Sequence, residues 1–128
     1  MMLRSFLVAL LSVVLLDGIW LGLLMKDAYR TWLGSLARLK DGALDPIWPV
    51  ALLVYPVIAL GLTVFVSART RNAREALMLG ALFGAVTFGV YDLTNHATLR
   101  GWRGTMTVVD ITWGAFSCAV AAYAAARL

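Results

Sequence analysis

Three aspartates stand inside stretches that are otherwise almost wholly apolar: Asp17 in SVVLLDGIWLGL, Asp92 in FGVYDLTNHATL and Asp110 in MTVVDITWG. Tyr91, Thr94, Asn95 and His96 crowd around the second, within two helical turns. Such groups can relay protons, hold a hard cation, donate to a polar headgroup when protonated, or act as acid and base. If the stretches lie in a bilayer, each acid costs about 3 kcal/mol or more at the membrane centre. No lysine or arginine lies deep in any of them to form an ion pair, so burial favours the uncharged acid unless a cation binds.

His96 is the only histidine and Cys118 the only cysteine. That excludes a histidine-rich diiron centre and an internal disulfide. Asp92 and His96, at i and i+4, could form half of a metal site. A polar residue close to the membrane surface is the better reading of His96. No metal ligand set is assigned, and the sequence leaves the identity of any cofactor open. There is no phosphate-binding glycine loop and no nucleophile–base pair.

The elements that must position these residues follow from composition. The chain has 128 residues, 62% hydrophobic and 14% charged, with a mean hydropathy of +0.84. Soluble domains are about half apolar and a quarter charged, so this is an integral membrane chain. The formal charge of +4 comes from arginines and lysines bunched between apolar blocks, the pattern of membrane-flanking loops. It does not indicate nucleic-acid binding.

Four spans are expected, over about 6–25, 47–66, 76–96 and 106–126, each about 20 residues and therefore roughly 30 Å of helix. The first resembles a secretory leader, but apolar character resumes after Asp17 and no small-x-small cleavage site stands out. Pro46 and Pro49 fall in the first turn of the second span, and Pro56 should kink it. The fold class is all-α, a membrane four-helix bundle forming a single transmembrane domain over 1–128. Between spans one and two, Tyr29, Trp32, Leu33, Leu36 and Leu39 share one helical face, which suggests an interfacial amphipathic helix or an extension of the first span. Trp32, Trp48 and Trp102, near span ends, read as interfacial anchors.

Depth counting gathers the polar groups. At about 1.5 Å per residue, Asp17 and Tyr55 each lie about 12 Å inside one membrane face, and Asp92 and Asp110 about 6 Å inside the same face. One leaflet therefore holds them all. Asp17-Gly-Ile-Trp20 and Asp110-Ile-Thr-Trp113 repeat a D-x-x-W spacing that sets acid and indole one turn apart. The two spans run in opposite directions, so Asp17 is level with Trp113 and Asp110 with Trp20. An indole N–H only donates and a carboxylate accepts, which predicts crossed contacts Trp20–Asp110 and Trp113–Asp17 between neighbouring helices. Small residues pattern the packing faces: Gly18 and Gly22; Gly80 and Gly84, continued by Thr87 and Tyr91; and Thr107, Asp110, Gly114, Ser117 and Ala121.

Several stretches together resemble a bacterial membrane-protein family labelled domain of unknown function 2177. They are LDGIWLGL from Leu16, the Tyr29…Leu33-Gly34 spacing, YDLTNHATLRGW from Tyr91, and VVDITWG from Val108. The resemblance spans nearly the whole chain in the family's order. It attaches to Asp17, Trp20, Gly22, Tyr91, Asp92, Thr94, Asn95, Thr98, Gly101, Trp102, Asp110, Trp113 and Gly114, while His96 departs from an apolar position. It implies four helices and brings no assigned reaction.

The polar cluster expected from all this is Asp17, Trp20, Tyr55, Tyr91, Asp92, Thr94, Asn95, Asp110 and Trp113. Binding or accessory handling of a lipid or other apolar small molecule is the leading function, with the cluster on the polar end and the indoles and kinked second span on the chain. A structural or assembly subunit of a membrane complex, and a small proton- or cation-linked transporter, are the alternatives. An enzyme is less favoured, with Asp92, Asp110 or Tyr91 as its acid and base. Expected partners are membrane lipid and a homo-oligomer or larger complex, with no nucleic acid. The expected location is a bacterial inner membrane, with both termini and the arginine-dense loop SARTRNARE in the cytoplasm.

Overall fold

The computed structural model describes residues 2–128. Four helices are long and apolar enough to cross a membrane: Met2–Leu24, Trp48–Arg69, Ala73–Thr98 and Gly104–Arg127. Their α-helical parts are α1 (Met2–Ile19), α3 (Trp48–Phe65), α4 (Ala73–Thr98) and α5 (Gly104–Arg127). A short α2 (Lys26–Leu33) lies between the first two spans.

Large apolar side chains such as Leu15 and Val90 are 63% and 66% exposed. On a water-soluble protein so much exposed apolar surface would drive association; on a membrane bundle it meets lipid. What is buried is small. α4 turns Ala76, Gly80, Gly84 and Asp92 inward along one row of i+4 positions. α5 meets it with Thr107, Gly114, Ser117, Cys118, Ala121 and Ala122. A Cβ on Gly80 would come within 2.7 Å of both the Ala122 Cβ and the Cys118 carbonyl oxygen, and one on Gly84 would overlap the Gly114 carbonyl. The glycines thus let two backbones touch.

α1 lies between α3 and α5, and the Phe83 ring of α4 covers Gly61 of α3. The apolar core is built from Ala9, Val13, Ala59, Leu62, Val66, Ala76, Cys118, Ala121 and Ala122. All of these lie on the terminus-bearing half of the four antiparallel helices. On that side the Arg4 guanidinium donates to the carbonyl of Leu128. The opposite half is where Asp17, Asp92 and Asp110 sit.

Helix ends follow local chemistry. Asn72 caps α4, its side chain accepting from the Glu75 N–H at 2.9 Å, while the Glu75 carboxylate accepts from the Arg71 N–H at 2.8 Å. Pro49 occupies the first turn of α3 and Pro46 precedes it; α3 continues through Pro56. α1 ends differently. Trp20–Leu24 form a π-turn, closed by the Met25 N–H on the Trp20 carbonyl at 2.7 Å. The chain then re-enters as α2.

Two expectations are corrected. The helix after span one stops at Leu33, because Gly34 takes φ +53°, a region that favours glycine. Leu36 and Leu39 therefore do not extend its apolar face. The chain instead forms a hairpin, β1 (Leu39–Lys40) with β2 (Ala43–Leu44), whose Asp41-Gly42 turn has φ +53° and +79°. An Asp-Gly pair with both φ angles positive is a strong hairpin signal. Arg30 ties the hairpin to α2 through the Gly42 carbonyl at 2.7 Å. Second, Gly18 and Gly22 are exposed and a Cβ on either would meet nothing within 4 Å, so this GxxxG is no internal contact. Thr87 and Tyr91 are exposed as well, and the buried row of α4 runs to Asp92 instead.

Candidate functional site

A chain of polar contacts crosses the basic-loop half of the molecule and draws a residue from every helix. It begins on α3, where the Tyr55 hydroxyl lies beside the Asp17 carboxyl of α1. Asp17 Oδ1 accepts from the Trp113 indole N–H of α5 at 2.7 Å. The Trp113 ring stacks on Trp20, with centroids 4.3 Å apart and planes 3° from parallel. The Trp20 N–H donates to the Tyr29 hydroxyl of α2 at 3.2 Å, and that hydroxyl donates to Asp110 Oδ1 of α5 at 2.9 Å. Finally the Asp110 carboxyl lies beside that of Asp92 on α4.

Spans one and four are therefore neighbours, and Trp113–Asp17 forms as the D-x-x-W spacing predicts. Trp20–Asp110 does not form directly: the Tyr29 hydroxyl stands between them. The chain widens into a π-turn between Trp20 and Met25 and re-enters as α2, whose Tyr29 is buried between the two side chains. Tyr29 is 7% exposed. Burial above all, and then the Asp110 charge against the opposing Trp20 N–H, raises the Tyr29 phenol above its ordinary range. It remains a protonated donor at neutral pH. Sequence periodicity placed Tyr29 on an interfacial face; its place in the Tyr29…Leu33-Gly34 spacing was the only signal of anything more.

Asp92 is the exceptional member. It is 0% exposed, and neither of its carboxyl oxygens has a hydrogen-bond partner. A buried polar group left unpaired costs about 1–3 kcal/mol, and more if charged. Among the described residues no lysine or arginine forms a salt bridge with Asp17, Asp92 or Asp110; the one salt bridge is the exposed Arg30–Asp27 pair at 3.4 Å. Nor do three or more histidine, cysteine, aspartate or glutamate side chains group there to hold a metal ion.

The rest of YDLTNH divides. Tyr91 is 58% exposed and sets its ring edge-on to Trp102, centroids 6.0 Å apart; Asn95, half-buried, lies beside its hydroxyl. Thr94 is exposed, and its carbonyl accepts from Thr98 at 2.7 Å, so it faces away from the carboxyl pair. His96 Nδ1 lies 3.2 Å from the Thr107 hydroxyl, to which the Trp102 N–H also donates at 2.9 Å. That small knot closes the α4–α5 connection. It gives Trp102 a bonded role as well as an interfacial position.

An open apolar groove of about 410 Å³ runs along α5, lined by Val108, Val109, Thr112, Trp113, Phe116 and Trp20. No residue of α3 lines it. Both indole N–H groups are already committed to Asp17 and Tyr29, and the Thr112 hydroxyl donates to the Val108 carbonyl at 2.8 Å. The groove consequently offers apolar surface, backed by the polar chain.

The family model for predicted membrane proteins (DUF2177) matches residues 2–127. The chain belongs to this family. The match covers all four spans and the whole polar chain described above, so the site lies in the part of the sequence that defines membership. No curated protein and no solved structure matches the chain. The family brings membrane character and no assigned reaction, and function must be argued from the geometry.

Proposed function

We propose that this membrane protein binds an amphipathic molecule, a membrane lipid or a related apolar compound, along the groove of α5. One observation carries the reading: the groove is walled by Trp20, Trp113 and Phe116, and the indole donors that would make it polar are turned to other partners. Val108, at its upper end, lies five residues and so about 7.5 Å along the helix from Arg103. A chain in the groove puts its headgroup at the level of the basic loops, which carry Lys26, Arg30, Arg38, Lys40, Arg100 and Arg103. An anionic headgroup suits them. Asp92 is sealed behind α5; in this reading the acids position the indoles, and the headgroup stays with the cations.

We infer in addition a bacterial inner-membrane location, with the termini and the arginine-dense loop on the cytoplasmic side by the positive-inside tendency. The test is native mass spectrometry of the full chain released from its membrane with native lipid. A bound lipid that Thr112→Trp removes, and that Val90→Trp on the far face of α4 leaves in place, is the expected result. Equal adducts in both variants would mean unselective annular lipid.

A second reading has its own support. Because every helix contributes to the polar chain, its role would be structural, fixing helix register in a subunit that assembles into a homo-oligomer or larger complex. That reading predicts loss of stability in Asp17→Asn with no change in bound lipid.

A further inference from the structure

Asp92 has no exposed surface and no partner for either oxygen, yet it faces a second carboxyl, Asp110. Two ionised carboxylates so placed repel, and neither can donate to the other. The remaining groups around the pair fix what is missing. From α2, Tyr29 donates to Asp110 Oδ1 at 2.9 Å, itself receiving the Trp20 N–H. From α4, Tyr91 lies on the exposed side, and His96 one turn on is engaged with Thr107. From α1, Asp17 is occupied by Trp113, with Tyr55 of α3 beside it. Among the described residues no cation forms a salt bridge with the pair. Two carboxylates and one phenol fall short of the six to eight oxygens a calcium site takes, and of the octahedral set magnesium demands.

We propose that Asp92 and Asp110 form a proton-binding site within the membrane, with one exchangeable proton carried by Asp92 and donated to Asp110. The direction follows from the donors. Trp20 donates to Tyr29 and Tyr29 to Asp110, so the chain of N–H and O–H groups ends on Asp110 and makes it the acceptor. Successive hydrogen bonds polarise one another in the same sense. Asp110 then accepts from two donors, and the O–H gives Asp92, the one orphaned side chain of the site, its partner. The balance is simple: with the proton the pair carries one negative charge, and its release to water leaves two. The aqueous face bearing the basic loops is nearest, since Asp92 lies six residues, about 9 Å of helix, before the end of α4 at Thr98.

The inference does not depend on a ligand in the groove. It is tested by infrared spectroscopy of the full chain in nanodiscs at neutral pH, comparing water with heavy water. A carboxylic acid carbonyl band that shifts in heavy water is expected in the wild type. It should be lost in Asp92→Asn, whose amide can still donate to Asp110 and so preserve the fold, and retained in Asp17→Asn. Absence of the band from the wild type, or its loss in Asp17→Asn, would overturn the assignment. So would disappearance of the band on addition of sodium or calcium chloride, which would make the occupant a metal cation. Should Asp92→Asn not fold, the wild-type, salt and Asp17→Asn arms still decide.

Discussion

At the residue scale, one hydroxyl holds two helices and a turn together. Tyr29 both accepts and donates inside the bundle, and its removal leaves the Trp20 N–H and one Asp110 oxygen without partners. Tyr29→Phe is expected to cost about 1 kcal/mol, read by unfolding in detergent micelles. A double-mutant cycle with Asp110→Asn should show a coupling of about 0.5 kcal/mol or more, since the two share one hydrogen bond. Additive losses would mean that the bond contributes nothing. The pH dependence has a definite sign. Because the folded phenol titrates above its ordinary value, the folded state holds its proton longer than the unfolded chain. Stability is then full through neutral pH and falls as pH rises above about 10, where a free tyrosine ionises. Tyr29→Phe should flatten that alkaline limb relative to the wild type.

At the scale of elements, the α4–α5 pair is set by backbone contact. Gly84→Ala must push α4 off the Gly114 carbonyl and is expected to destabilise by about 2 kcal/mol, as overpacking does. Gly18→Ala, on an exposed helical face with open space around it, should be neutral or stabilise by up to about 1 kcal/mol. Thermal melts of the two variants separate the packing glycines from the exposed ones. This distinction was not legible in the sequence, where both pairs read as GxxxG. What differs is the partner: α5 offers Gly114, Cys118, Ala119 and Ala122 opposite Gly80 and Gly84, and among the described residues no helix covers Gly18 and Gly22. The spans themselves were legible, because length and apolar composition suffice to mark them. The Trp113–Asp17 bond was legible too, because antiparallel helices bring equal spacings level. Tyr29 was hidden by the π-turn, which no 3.6-residue period announces. The hairpin was missed although Asp41-Gly42 signals it.

At the scale of the whole molecule, the halves differ: an apolar core toward the termini, a polar chain toward the basic loops. If the termini are cytoplasmic, a cysteine at Lys40 in a Cys118→Ala background should react with a membrane-impermeant maleimide in spheroplasts, and one at Arg71 should not. The reverse pattern would invert the molecule, move the acids to the cytoplasmic leaflet and leave the internal geometry unchanged. In the function proposed above, the apolar groove beside the stacked indoles takes an acyl chain. Crystals grown in a lipidic phase with bromine-labelled fatty acyl lipid test it most directly. Anomalous density between Trp20, Trp113 and Phe116, with the headgroup toward Arg103, is the predicted result. Bromine spread along the lipid-facing helices with none in the groove would contradict it.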